Sequence, residues 1–276
     1  MRPAAAALLA GLALGCSRPA PTLHLATTTS VDNTGLLAAL LPAFRTETGV
    51  EVQAVAVGSG RALAIFERGD ADAALTHDPT AEGRVIAAGH VARYRKLMYN
   101  DFVIAGPPDD PAGVRRTTAV LAAMRRLADA HAPFVSRGDS SGTHTRELEL
   151  WRAAGVTPAP GALIDAGQGM AATLRIASER QAYVLTDRAT LAQLAATLRL
   201  AIMSEGDPIL INTYAILVRA GLQGERLTHA ERLFTWLTDG RGRQAINDFR
   251  VRGQIGFIVW PSDRPHGQPG DLPHAR

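Results

Sequence analysis

The stretch Leu23-His24-Leu25-Ala26-Thr27-Thr28-Thr29-Ser30-Val31-Asp32-Asn33 decides how the rest of the chain is read. Residues 23–27 have the short apolar character of a buried strand, and a polar, hydroxyl-rich turn follows at once. Leu36, Leu37, Leu40, Leu41 and Phe44 then recur on one helical face, and Gly49 supplies a stop. Pro42 lies inside that helix and is expected to kink or locally distort it. The same strand–turn–helix unit returns at 50–57, where Val50, Val52, Val55 and Val57 are strongly β-forming, with Gly58-Ser59-Gly60 turning into a helix over 61–68. It returns again at 72–76, closed by His77-Asp78-Pro79. Three such units in succession predict a parallel sheet with helices on its faces.

Further along, residues 102–106 read as an apolar strand, and the cluster Pro107-Pro108-Asp109-Asp110-Pro111 is where the chain is expected to leave a first lobe. A second alternating set follows: a helix near 118–130, a strand at 133–136, a helix from Thr143, a helix near 170–178, a strand at 182–186 and a helix from Asp187. The apolar run 209–218 then carries the chain back, and helices near 228–237 and 241–249 complete it. The fold class expected is therefore α/β and two-lobed, each lobe a mostly parallel sheet flanked by helices, joined by a two-strand hinge. Lobe 1 is assigned to 23–103 and 212–260, lobe 2 to 104–211, and 261–276 to a loose Pro-, Gly- and His-rich tail. Hinge closure around a ligand is a known use of such an architecture.

The amino terminus reads as an export signal. Met1-Arg2, an apolar run to Leu14 and then Gly15-Cys16 describe a signal peptide over 1–15, too short to span a bilayer. Leu12-Ala13-Leu14-Gly15-Cys16 resembles a bacterial lipobox, with Ala13 where leucine is preferred. Cys16 is the only cysteine, so it can form no internal disulfide; lipidation explains it, and 16–22 becomes a lipidated linker. The expected location is periplasmic or cell-surface, lipid-anchored to a bacterial membrane, with the membrane touched through the anchor alone.

Charge points away from nucleic acid. The 29 basic residues exceed the 26 acidic ones by only three and are scattered rather than gathered into a block. The eight histidines show no metal-ligand spacing, so neither a metal nor a cofactor is expected. Ser141, His144 and Asp139 lie too close in sequence for a catalytic relay, and no Gly-x-Ser-x-Gly elbow or phosphate-binding glycine loop is present, so no enzyme is expected. Trp151, Trp236 and Trp260 are read as packing residues.

What remains is a set of turns suited to an anion. In open α/β sheets ligands bind beyond the carboxyl ends of the strands, where helix N-termini present free N–H groups. The turns are Thr28-Thr29-Ser30, Gly58-Ser59-Gly60, Ser136-Arg137-Gly138-Asp139-Ser140-Ser141-Gly142-Thr143-His144, and Gly167-Gln168-Gly169-Met170. Any one of them could be no more than a helix cap. In the third, Arg137 adds a permanent charge in a fork matched to oxyanions, Asp139 can hold that fork, and Ser141, Gly142 and Thr143 open a helix. This Arg-x-Asp-x-Ser-Gly-Thr run resembles the anion loop of phosphate-binding periplasmic proteins.

A wider resemblance follows from motifs in order: Thr27-Thr28-Thr29-Ser30, Val57-Gly58-Ser59-Gly60, Gly69-Asp70-Ala71-Asp72, Thr76-His77-Asp78-Pro79, Met98-Tyr99-Asn100-Asp101-Phe102-Val103-Ile104, the 136–144 loop, and Ala166-Gly167-Gln168-Gly169-Met170. From about residue 23 to 257 the chain resembles the tungstate-binding component of Tup-type ABC transporters, with Ser140 where many relatives carry aspartate. The resemblance implies a type II periplasmic-binding-protein fold and a tungstate ligand, with molybdate as a second. It also implies ABC permease subunits as partners and points to the hydroxyls after the first strand, Thr28, Thr29 and Ser30, and to Arg137 as anion contacts; from the turns above, Ser59, Gly60, Ser141, Gly142 and Thr143 are expected to join them, supported by Asp139, Asp78 and Gly169, in a protein expected to be a monomer.

A fully deprotonated dianion calls for donors only, whereas phosphate, which carries a proton, rewards a buried carboxylate acceptor. Asp78 is the residue placed for that role, or else a cap for the helix that Pro79 begins. Phosphate or another oxyanion, and an anion sensor acting on a membrane partner, stay open as alternatives.

Overall fold

The computed structural model describes residues 22–261. The signal peptide, Cys16, nearly all of the linker and the tail beyond Pro261 lie outside the described residues.

The chain begins β1 (Thr22–Thr28), α1 (Thr29–Asn33), α2 (Leu36–Thr48), β2 (Glu51–Val57), α3 (Ser59–Arg68), β3 (Ala73–Thr76) and α4 (Pro79–Ala87). A long β4 (Val91–Gly106) leads to α5 (Val120–Asp129), β5 (Phe134–Ser136), α6 (Gly142–Ala154), β6 (Leu163–Asp165), α7 (Met170–Arg180), β7 (Tyr183–Asp187), α8 (Arg188–Leu194) and β8 (Ala201–Ser204). Then come β9 (Ile211–Arg219), α9 (Gly224–Thr238), α10 (Arg241–Asp248) and the short strands β10 (Arg250–Val251), β11 (Gln254–Ile255) and β12 (Ile258–Val259).

The main sheet runs β2-β1-β3-β9-β4-β7-β5-β6, with β8 and β12 also paired to β4. β2-β1-β3 and β7-β5-β6 are parallel blocks, while β9 and β4 run antiparallel to their neighbours. Those two central strands are where the chain passes between lobes. Over Val91–Asp101, β4 pairs β9; from Phe102 onward it pairs β7.

The cores divide along the same strand. One cluster gathers Leu23, Leu25, Phe44, Met98, Tyr214 and Phe234, among others, and draws nothing from 102–210. Two more, around Phe102, Phe134 and Trp151 and around Val103, Val135 and Val184, draw only on 102–210. The change of core falls inside β4, between Met98 and Phe102, ahead of the proline cluster at 107–111 where the sequence placed the exit. A continuous strand can do this because its two parts pair with different strands, β9 and then β7, so no loop is needed at the crossing.

Local rules account for most elements. Leu36, Leu37, Leu40 and Phe44 form the buried stripe of α2, which Gly49 ends in the left-handed conformation at φ 73°. α2 continues through Pro42 to Thr48 without interruption. Val120, Ala123, Met124 and Leu127 do the same for α5. The half of β4 that periodicity missed, Val91–Asp101, holds Arg93, Arg95 and Lys96, whose charges find partners. Arg93 pairs Glu231 and lies over Phe234, Arg95 pairs Asp239, and Lys96 Nζ donates to Thr213 Oγ1.

Candidate anion site

The parallel strands β1, β2 and β3 deliver their turns to one carboxyl edge, and β5, β6 and β7 deliver theirs to another. These turns meet across the cleft. A β-carbon built on Gly60 would lie 3.3 Å from the Ser140 carbonyl, and one on Gly58 3.7 Å from Ser141 Cβ. One on Gly169 would lie 3.8 Å from Thr29 Oγ1. One on Gly142 would lie 2.8 Å from the His77 carbonyl, inside van der Waals contact. Glycine is needed at 142 because two backbones approach there.

Each turn is held from within. Thr28 caps α1, its Oγ1 accepting from Val31 N (3.3 Å), while Thr27 Oγ1 donates to Leu75 O (3.0 Å). Thr28 and Ser30 are buried, and Thr29 is half-buried. Gly58 precedes α3 in an extended conformation without a side-chain cap, and Ser59, the first helical residue, is fully buried.

In the third turn, Arg137 is 2% exposed. Its Nε donates to Asp139 Oδ2 (3.2 Å), and Nη2 makes a closer bond to the same oxygen. Asp139 Oδ1 accepts from Ser141 N (3.1 Å), and Ser141 Oγ caps α6 by accepting from His144 N (3.3 Å). Gly138 and Ser140 both adopt positive φ, 60° and 55°, which curls this loop back on itself. Asp139 therefore joins the guanidinium to the first turn of α6.

Asp78 caps α4, its Oδ1 accepting from Ala81 N (3.0 Å) with Pro79 opening the helix. Its other oxygen accepts from Thr145 Oγ1 of α6 across the cleft (3.3 Å). Both carboxylate oxygens of Asp78 are thus engaged by protein donors.

Three buried side-chain atoms on these turns have no protein partner: Ser59 Oγ, Arg137 Nη1 and Thr143 Oγ1. Leaving a buried polar group unpaired costs about 1–3 kcal/mol, more if it is charged. All three can donate, and they come from both sides of the cleft. Such a set is suited to oxygen atoms of a ligand that brings no proton.

Several residues of the site were not singled out by the sequence. His77 is buried against Tyr214, ring centroids 4.9 Å apart, with Nδ1 3.0 Å from Asn212 Oδ1. Asn212 Nδ2 donates to Asn100 Oδ1 (2.9 Å) and Tyr214 Oη (2.8 Å), so its oxygen is the acceptor and His77 Nδ1 carries the proton. Burial lowers the His77 pKa to about 4, outweighing the Asn212 hydrogen bond and the charge of Asp78, so the ring is neutral. Asn100 and Asn212 face each other in the β4–β9 ladder, which places this polar floor on the crossing strands.

Behind the turns sit two buried carboxyls. Glu82 Oε1 accepts from Thr76 Oγ1 (2.9 Å) and Asp78 N (3.1 Å), and Oε2 accepts from Tyr94 Oη (3.0 Å). On α6, Glu147 is held by Ser136 and the Arg137 backbone N–H. Burial raises each carboxyl to about 7, against the hydrogen bonds that hold it. A helix heptad would have marked both as surface positions; the strand ends Thr76 and Ser136 turn them inward.

Paired lobes around a cleft, a shared pair of crossing strands and an anion-suited edge define a solute-binding protein of the periplasmic-binding-protein superfamily. The family described as "PBP superfamily domain" matches residues 17–239. The tungstate-binding protein TupA of Peptoclostridium acidaminophilum is 37% identical over 232 residues, covering 83% of this chain and 81% of that protein. The solved structure of the tungstate ABC transporter from Geobacter sulfurreducens is 39% identical with TM-score 0.74, covering 83% of this chain and 98% of that one. Tungstate-binding protein TupA from Desulfovibrio alaskensis G20 is also 39% identical, with TM-score 0.73, over 87% and 99% of the two chains. The chain belongs to the PBP superfamily and, within it, to the family of tungstate-binding components of Tup-type ABC transporters.

Proposed function

We propose that this protein captures tungstate, and molybdate as a second ligand, outside the cytoplasm and presents it to the permease subunits of an ABC importer. The observation that carries this reading is the trio of buried, unpartnered donors, Ser59 Oγ, Arg137 Nη1 and Thr143 Oγ1, on turns that meet across the cleft. The hydroxyls of Thr28, Thr29, Ser30 and Ser141 border the same edge, and the N–H groups around Gly60 and Gly142 open helices toward it. Asp139 and Gly169 support this shell from behind. Both oxygens of Asp78 are already engaged, one capping α4 and one bridged to Thr145, which favours a dianion.

Lobe 1 then comprises 23–103 and 212–260 and lobe 2 comprises 104–211, and the ligand draws them together. No bond is made or broken. Cys16 tethers a monomer to the periplasmic or outer face of a bacterial membrane through lipid, and the closed form is what the permease engages. Calorimetric titration of the purified protein with tungstate, molybdate, sulfate and phosphate tests the ligand. Tight one-to-one tungstate binding with phosphate silent is expected; phosphate binding with weak tungstate would overturn the assignment.

A further inference from the structure

One buried group at this edge has no role in the reading above. Asp187 ends β7 and is fully buried. Its Oδ1 caps α8, accepting from Thr190 N (2.8 Å), while Oδ2 has no partner. Its position follows from the sheet. β5 and β7 are parallel neighbours with Phe134 opposite Tyr183 and Val135 opposite Val184, so Arg137, just past the end of β5, and Asp187, the last residue of β7, lie at one carboxyl edge. The Arg137 charge acts on the Asp187 carboxyl, and α1, carrying Ser30, packs against α8 from across the cleft. The unpartnered atoms at this edge therefore include the three donors, Asp187 Oδ2 and, beside it on α8, Thr190 Oγ1.

We propose that Asp187 is a contact of the bound oxyanion and takes up a proton as the dianion enters, so that Oδ2 becomes an O–H donor to the ligand. This rests on the oxyanion reading above. Charge counting leads to it. Arg137 is already matched by Asp139, so a dianion beside an ionised Asp187 would leave three uncompensated negative charges in a buried space. One proton on Asp187 removes one of them and turns an acceptor into a donor.

Among the described residues, the cations of neighbouring elements are paired or exposed: on α6, Arg146 pairs Glu149 and Arg152 is exposed. Arg188, on α8, is held by Asp101 of β4 and by Glu205. From β9, Tyr214 faces the carboxyl as a neutral phenol. Asp32 of α1, Arg175 and Arg180 of α7 and Arg250 of β10 are exposed. Burial pushes the Asp187 carboxyl up, against the backbone hydrogen bond from Thr190 and the Arg137 charge. Asp187 thereby separates ligand classes: in its acid form it suits a proton-free tetrahedral dianion, and ionised it would suit a ligand bearing its own proton.

The test is tungstate calorimetry on the purified protein between pH 6.5 and 9.5, in buffers of different ionisation enthalpy, with Asp187→Asn and Asp187→Ser alongside. Both replacements keep a cap for Thr190 N and cannot titrate. Wild type is expected to take up about one proton and to lose about tenfold in affinity per pH unit at the alkaline end. The variants should show neither effect. Equal proton uptake in wild type and variants, or none in wild type with a flat profile, overturns the role of Asp187. Absence of tungstate binding by wild type at every pH would overturn the oxyanion reading itself.

Discussion

Gly142 and His77 belong to turns on opposite sides of the cleft, yet a β-carbon on Gly142 would come within 2.8 Å of the His77 carbonyl and 3.1 Å of its Nδ1. The first residue of α6 therefore lies against the backbone that follows β3. Gly142→Ala places a methyl group where two backbones meet, and relieving such overpacking costs about 1–3 kcal/mol. Because Gly142 and His77 belong to the two lobes that the ligand is proposed to draw together, the cost should appear in ligand affinity. A roughly 10- to 100-fold weaker tungstate Kd with an unchanged apo Tm is expected. Small-angle scattering should show less compaction on ligand addition, and compaction equal to wild type would contradict the assignment.

Arg137→Ala removes a buried charge whose Nη1 has no protein partner and also strands Asp139. A loss of about 2–5 kcal/mol in tungstate binding is expected, as for a desolvated charge pair cut on one side. Arg137→Lys should recover little, since an ammonium cannot span both Asp139 and a ligand oxygen as the planar fork does. Titration calorimetry decides, and wild-type affinity in either variant would remove Arg137 from the shell.

Thr145→Val deletes a hydroxyl that reaches Asp78 across the cleft, at 3.3 Å. A single hydrogen bond of this kind contributes about 0.5–1.5 kcal/mol. Tungstate affinity should fall about two- to tenfold through a faster dissociation rate, measured by stopped-flow. An altered association rate with unchanged dissociation would place Thr145 outside the closed contact.

Asn212→Leu leaves His77 Nδ1–H, Asn100 Oδ1 and Tyr214 Oη without their shared partner. Buried orphans at about 1–3 kcal/mol each, partly relieved by repacking, predict a destabilisation of about 2–4 kcal/mol in urea unfolding. A change under about 0.5 kcal/mol, the range of ordinary surface substitutions, would show that the network adds nothing to the hinge.

Glu82 has its folded pKa raised to about 7 from 4.5, so between those values the folded state holds the proton and the unfolded state has lost it. Its stabilising contribution is complete below pH 4.5 and is lost as pH rises through 7. Glu82→Gln keeps the neutral shape and should remove up to about 3 kcal/mol of pH-dependent stability over this window. Urea midpoints at pH 5, 6, 7 and 8 measure it. A variant whose midpoints track wild type at every pH would reassign the slope to another group, Glu147 first.

Much of the architecture was readable without coordinates because it rests on local rules. The apolar stripe of α2, its stop at Gly49, the cap at Asp78 and the recurring strand–turn–helix units each depend on residues within a few positions of one another. The anion loop was readable for the same reason, since Arg137, Asp139 and Ser141 bond to one another over a span of two residues or fewer at each step. Val91–Asp101 escaped because its charged residues break the apolar pattern, and their partners Glu231 and Asp239 lie far away in sequence.

Sequence alone, then, determined the units and the chemistry of each turn: which residues could donate, which could curl a loop and which could end a helix. Only the tertiary structure decided what those turns surround. Gly142 against His77, Thr145 on Asp78, the Asn212 floor and the unpartnered oxygen of Asp187 are juxtapositions between segments distant along the chain. They arise because parallel strands bring their carboxyl ends to a common edge, and two such edges face each other across β4 and β9. Periodicity and capping act over a few residues, whereas a binding site is made by packing, which sequence neighbours do not encode.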